Sequence, residues 1–179
     1  MEVDSIYYSR LSKTFWKTVE RGGFIAMTLG DVLKKERTNK KLTIEKVAEE
    51  LKLSLSDYEQ WEAGQTPIEE WGPKLALLAI KLSKPTSRLL AKSGKSKDVA
   101  EGKCGSLIQG HREEKELSLE KMAELVNMSV DEYKQIEVGE SPVEKYGWRF
   151  LRFAELIEQP VFNLFYPCGL PFQQLNDYP

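Results

Sequence analysis

An all-α fold is predicted for this 179-residue chain by three observations. A passage is written twice at an offset of 75 residues, as LSLSDYEQWEAGQTPIEEWG at 53–72 and MSVDEYKQIEVGESPVEKYG at 128–147. Apolar residues recur at helical spacing within both copies. Capping residues, glycines and prolines punctuate that pattern where helices would begin and end. The length lies between one large and two small domains, and a repeat of this kind decides for two similar units.

The register runs without a gap from Leu29 against Cys104 to Ala91 against Tyr166. Identities along it include Gly30 with Gly105, Arg37 with Arg112, Glu45 with Glu120, Gln60 with Gln135, Glu62 with Glu137 and Gly72 with Gly147. A first helix is expected from Leu29 to about Thr38, and from Cys104 to about Glu113. Thr43 and Ser118 then stand as N-caps before Ile44, Val47, Ala48 and Leu51, or Leu119, Met122, Ala123 and Val126. A second cap, Ser54 or Ser129, opens a third helix that Gly64 or Gly139 closes in the C-terminal glycine position. Helix-period apolar residues over Trp71–Leu82 and Tyr146–Ile157 predict a fourth helix, which Pro85 and Pro160 stop. Leu89, Leu90, Leu164 and Phe165 supply a last apolar turn, so each copy reads as a bundle of about five short helices.

Outside the repeat, Tyr7, Leu11, Phe15 and Val19 fall at every fourth position and predict an amphipathic helix over about residues 5–21. Arg10, Lys13, Lys17 and Arg21 occupy its opposite face, which suits nucleic acid, a second copy or the cover of a bundle. The C-terminal FNLFYPCGLPFQQLNDYP is too apolar for a loose tail and too rich in proline for a long helix, so an irregular segment packed back on the protein is expected. The expected division is a helical extension at 1–27, a first unit at 28–91, a basic linker at 92–103, a second unit at 104–166 and a tail at 167–179.

The composition, 41% hydrophobic and 30% charged, is ordinary for a globular protein. No apolar run approaches the length of a membrane span, and MEVDSIYYSR lacks the basic and apolar regions of a secretory signal, so a cytoplasmic protein without a membrane partner is expected. Cys104 and Cys168 have no neighbours at metal-ligand spacing and are expected as free thiols. His111, the sole histidine, is expected at a solvated position of a first helix. No glutamate forms a distinctive pair with it or with a cysteine, and no glycine-rich loop has the context of a phosphate cradle. Neither enzymatic activity nor a metal or cofactor is expected.

The stretch L-T-I-E-K-V-A-E-E-L-K-L-S followed by Y-E-Q-W-E-A-G, echoed by L-S-L-E-K-M-A-E-L-V-N-M-S followed by Y-K-Q-I-E-V-G, resembles the helix-turn-helix family of phage lambda-type repressors and Cro proteins. The resemblance covers roughly two thirds of the chain. It implies two lambda-repressor-like five-helix bundles in tandem, acting as a covalent pseudo-dimer that binds duplex DNA and regulates transcription. Ala48 and Ala123 are small where two helices would cross, and Leu53, Met128, Tyr58 and Tyr133 suit the core between them. The resemblance also implies two structural ion pairs, Arg37 with Glu62 and Arg112 with Glu137.

In this family the second helix of the motif enters the major groove. The matching candidates are Ser54, Leu55, Ser56 and Gln60 in copy one, and Ser129, Val130, Asp131 and Gln135 in copy two. Glutamine suits adenine, serine meets several bases, Leu55 or Val130 suits a thymine methyl, and Asp131 accepts from cytosine. Where the family commonly places a phosphate-contacting glutamine, both copies depart, with Ile44 and Leu119. Charge is unevenly spread: net +4 over 1–42, −5 over 43–80, +5 over 81–103 and −6 over 104–179. Phosphate neutralisation would therefore fall to the basic segments, with Lys40, Lys41, Lys92, Lys95 and Lys97 as candidate backbone contacts. Extended, the linker spans about 40 Å, enough for one turn of DNA; its composition equally suits a soluble, flexible tether. The acidic motif cores leave a competing expectation, a scaffold whose reading faces dock a protein partner or a second copy.

Overall fold

The structure, a computed structural model, describes residues 27–100 and 103–165. The predicted N-terminal helix and the C-terminal tail with Cys168 lie outside the described residues. All regular structure described is helical. Copy one folds as α1 (Leu29–Asn39), α2 (Ile44–Glu50), α3 (Leu55–Glu62), α4 (Ile68–Leu82) and α5 (Thr86–Leu90). A 3₁₀ turn at Ser96–Asp98 follows, and copy two repeats the series as α6 (Cys104–Glu114), α7 (Leu119–Leu125), α8 (Val130–Glu137), α9 (Pro142–Ile157) and α10 (Phe162–Phe165).

The caps act as their residue types dictate. Thr43, Ser54, Ser118 and Ser129 each accept a hydrogen bond from the backbone N–H three residues on. The first helices use a further device, which in α1 stands beside a Thr28 cap on the Asp31 N–H at 3.1 Å. Glu69 accepts from the N–H groups of Leu29 and Gly30 at 2.8 and 2.6 Å, and Glu144 accepts from those of Cys104 and Gly105 at 3.2 and 3.0 Å. A carboxylate from the fourth helix thus satisfies donors left open at the start of the first, where the helix dipole also favours negative charge. To bring Glu69 and Glu144 there, α4 and α9 begin about one turn before the expected Trp71 and Tyr146. Pro142 at the first turn of α9 is compatible with that earlier start, because its missing N–H has no partner to lose.

The contacts that matter most cross between the copies. The fifth helix of each copy packs on the first and fourth helices of the other: α5 on α6 and α9, α10 on α1 and α4. The fourth helices, α4 and α9, meet along the seam. Gly72 of α4 makes room for this exchange, since a Cβ there would stand 2.8 Å from the Phe165 ring and 3.1 Å from Leu29. Its repeat partner Gly147 does the same on the other side, where a Cβ would stand 2.8 Å from Leu90. Polar contacts follow the same reciprocity. Lys40 pairs with Glu158 at 2.7 Å, and Lys115, the repeat partner of Lys40, donates to Ser83, the repeat partner of Glu158, at 2.9 Å. Residue i meets j while j meets i, which is the signature of two-fold pairing.

The seam is symmetric in backbone and unequal in filling. On one side Trp61 packs against Tyr146 and Phe150, each with ring centroids 5.6 Å away, and Phe150 meets Phe165 edge-on at 5.1 Å. The repeat partners of these four are Ile136, Trp71, Leu75 and Leu90, so the other side is largely aliphatic. Phe165 is fully buried in contacts belonging to the other copy. Phe165→Ala is expected to cost about 3–5 kcal/mol in urea unfolding. A loss below about 1 kcal/mol would contradict its seating at the seam.

Candidate nucleic-acid interface

Each motif presents one face and buries the other. In α3, Tyr58 and Trp61 point into the core while Leu55, Ser56, Glu59 and Gln60 are exposed. In α8, Tyr133, Ile136 and Glu137 are buried while Val130, Asp131, Lys134 and Gln135 are exposed. Leu55 and Val130, 44% and 40% exposed, are two of the three large hydrophobic side chains that the described residues leave in solvent. Both stand at equivalent positions of the two copies and outside the hydrophobic core.

Ser54 and Ser129 lie at the head of these faces, but their hydroxyls are engaged in capping. Ser54 accepts from the Asp57 N–H at 3.1 Å and donates to the Asp57 carboxylate at 2.7 Å. Ser129 forms a reciprocal capping box with Glu132, whose carboxyl is held below its usual range, chiefly by the Ser129 backbone N–H. Ile44 and Leu119, where the family pattern has a phosphate contact, are partly buried against the core.

Two arginines set the attitude of α3 and α8. Arg37 bridges Glu62 at the end of α3 through Nε and Nη2, at 2.5 and 2.9 Å, and donates through Nη1 to the Leu42 carbonyl at 3.0 Å. Arg112 repeats this with Glu137, at 2.7 and 2.9 Å, and with the Leu117 carbonyl at 2.8 Å. Each guanidinium therefore ties the first helix, the entry to the second and the end of the third together. The hydrogen bonds to Glu62 and Glu137 raise both arginines above their ordinary values. Bidentate geometry of this kind specifies orientation as well as supplying energy.

The basic candidates separate. Lys40 is engaged by Glu158 across the seam, and Lys41, Lys92, Lys95 and Lys97 are exposed. The linker takes neither the extended course nor the loose tether that its composition allowed. It turns at Gly94, forms the 3₁₀ turn and docks on α9, where Ser96 donates to Glu155 through its N–H at 2.8 Å and its hydroxyl at 2.6 Å. Val99 packs against the core. Burying Val99 and satisfying Ser96 outweighs the freedom of a loose chain, so the linker holds the two copies at close range. His111 also departs from expectation: its side chain is 16% exposed, with Nδ1 3.3 Å from Glu114. Glu114 is held in turn by Lys84 of copy one at 2.8 Å.

A second feature lies away from the reading faces. A groove of about 1360 Å³ opens between the end of α2, the linker and α9, with Lys52, Lys97, Lys145, Trp148 and Arg149 among its lining. Arg149 lies over the Trp148 ring, 4.7 Å from its centroid. The Glu50 carboxyl on its wall is held at about 2 by hydrogen bonds from Lys46 and Arg152. The sequence expectations do not include this groove, although one signal was available: Trp148, Arg149 and Arg152 stand where the repeat has Pro73, Lys74 and Leu77.

Comparison with protein-family models, curated proteins and solved structures gives no match. Function must therefore be argued from the site. Among the described residues no helix is long and apolar enough to cross a membrane, and no three His, Cys, Asp or Glu side chains are placed to hold a metal ion. Cys104 is a free thiol, buried, with Sγ 3.2 Å from the Leu89 carbonyl; burial pushes its pKa up.

Arg112 and Glu137 have side chains 11% and 5% exposed. Arg112→Met leaves a buried carboxylate without its partner and is expected to cost about 3–5 kcal/mol in chemical denaturation, most of it recovered by adding Glu137→Leu. Equal destabilisation by the single and double variants would contradict the orienting role of the pair.

Proposed function

We propose that the chain is a transcription regulator that reads duplex DNA with two helix-turn-helix units of the lambda-repressor and Cro type, paired as a covalent pseudo-dimer. The observation that carries this reading is the division of labour on α3 and α8. Their inner faces are consumed by the core and the seam, and their outer faces remain free, with Gln60 and Gln135 at equivalent positions. A surface kept open twice, running from Leu55 to Gln60 and from Val130 to Gln135 on the helix that such motifs place in the major groove, fits base reading.

The reciprocal seam sharpens the target. Two readers related by an approximate two-fold suit an inverted repeat, as two-fold dimers do on DNA. The halves would be unequal, because Leu55 and Ser56 face one and Val130 and Asp131 the other. Gln60 and Gln135 would each pair with an adenine, and Ser56 would accept or donate to a neighbouring base. The exposed Lys41, Lys92 and Lys95 supply phosphate contacts that the acidic motif cores lack.

A second reading has its own support. Glu59 and Asp131 are exposed carboxylates on the reading helices, and neither has an ion pair among the described residues. Such faces suit a basic protein partner.

Selection from a random-sequence duplex pool at about 50 and 200 mM salt separates the two. The expected result is enrichment of an imperfect inverted repeat, weakened by salt. Gln60→Ala and Gln135→Ala should each cost about 1–3 kcal/mol and relax one half-site only. Absence of enrichment at the lower salt would contradict DNA reading and favour the acidic docking face.

A further inference from the structure

The groove between α2, the linker and α9 holds positive charge that the protein does not neutralise. Of its carboxylates, Glu50 is bound by Lys46 at 2.9 Å and by Arg152, Glu49 lies 3.5 Å from Lys46, and Glu144 accepts from the backbone of α6. Glu140 alone stands without such a partner. Against it are Lys52, Lys97, Lys145 and Arg149, none within ion-pair distance of a carboxylate among the described residues. Arg149 donates only to the carbonyls of Leu51 and Lys145, at 3.0 and 2.9 Å, and burial lowers its pKa, as befits a cation short of countercharge.

A buried polar group points the same way. Ser141 lines the groove, is 6% exposed, and its hydroxyl has no hydrogen-bond partner although it stands at the N-cap of α9. The hydroxyls of Tyr58, Thr66, Thr86 and Tyr133 share that condition, but of the five only Ser141 stands on the groove wall. Ser141, Lys145, Arg149 and Arg152 succeed one another at spacings of four, four and three, so they share one face of the helix.

The unneutralised charge belongs to one side only, whereas a buried hydroxyl without a partner occurs on both, at Ser141 and at Thr66. The repeat partners along α4 are Thr66, Glu70, Lys74 and Leu77, and there Lys74 is neutralised by Glu70 at 2.5 Å and lies 3.7 Å from Glu132. The duplication thus supplies an internal control: the same backbone without the groove's charge. None of the base-reading candidates lines the groove, and of the candidate backbone contacts Lys97 does.

We propose that this groove binds a free phosphate-bearing anion, of the polyphosphate or phosphate-ester class, held by Lys52 of copy one, Lys97 of the linker, and Lys145, Arg149 and the Ser141 hydroxyl of copy two. Phosphate matches the guanidinium edge and hydroxyl donor that the protein leaves unused. The bound anion bridges both copies and the linker. Duplex backbone offers the same chemistry, and the absence of base-reading candidates from the lining favours the free anion.

Calorimetric titration of the full chain with inorganic triphosphate tests this. Saturable binding is expected, weakened about tenfold or more by Arg149→Gln and by the double change Lys97→Gln with Lys145→Gln. The exposed lysines of the double variant make no fold contact beyond a ring stacking at Lys145, so that variant stays informative if Arg149→Gln fails to fold. Lys34→Gln with Lys35→Gln, which removes two exposed charges elsewhere, should leave the affinity unchanged. No saturable heat, or equal weakening by this control, would overturn the site. Displacement of triphosphate by a saturating random duplex would overturn the free anion in favour of DNA backbone.

Discussion

The structure depends on an exchange: each copy gives its fifth helix to the other. The exchange works because Gly72 and Gly147 leave the fourth helices bare where Phe165 and Leu90 must sit. A methyl group at either glycine would occupy space now held by an aromatic ring or a leucine, and well-packed interiors do not yield to such insertions cheaply. A five-helix unit without its partner would expose the first and fourth helices where the exchanged turn now lies. The two copies therefore complete one another's cores, and the docked linker, held by Glu155 on Ser96, is the covalent counterpart of that pairing.

This arrangement separates two tasks that the repeated sequence mixes together. Burial is handled at the seam and within each three-helix start, where Arg37 and Arg112 brace the ends of α3 and α8. The outer faces of the same helices stay in solvent, where the proposed recognition would fall. With both faces on one braced body, the spacing between them is a property of the fold and not of a tether. That is why a reciprocal seam bears on the kind of DNA site the protein would suit. Symmetry is relaxed where packing allows: aromatic rings fill one side of the seam, aliphatic groups the other, and only one side carries the cationic groove.

Much of this was legible in the residues. Thr43, Ser54, Ser118 and Ser129 announce the helices they cap, and Tyr58 and Tyr133 fall on the buried side as their spacing implies. The matched Arg and Glu positions form the bidentate pairs that the family resemblance implied. What local pattern could not convey was partnership at a distance. Leu89, Leu90, Leu164 and Phe165 read only as an apolar turn, and nothing in their spacing says on which copy they rest. His111 reads as polar in its own helix, yet its side chain is only 16% exposed in the folded chain. The linker reads as loose because lysine, serine and glycine are common in tethers, while its anchorage depends on one carboxylate in α9. The groove had a sequence signal of another kind, a local break in the repeat at Trp148, Arg149 and Arg152.

Native-state hydrogen exchange, read at the buried first helices of both copies, tests the exchange of fifth helices most directly. Amides such as Leu33 in α1 and Ile108 in α6 are set in fully buried positions of opposite copies. A shared core predicts that both exchange only through one global opening, with the same free energy and the same response to denaturant. Two separate openings, one copy exchanging while the other stays protected, would contradict the account and show the copies to be independent units joined by a tether.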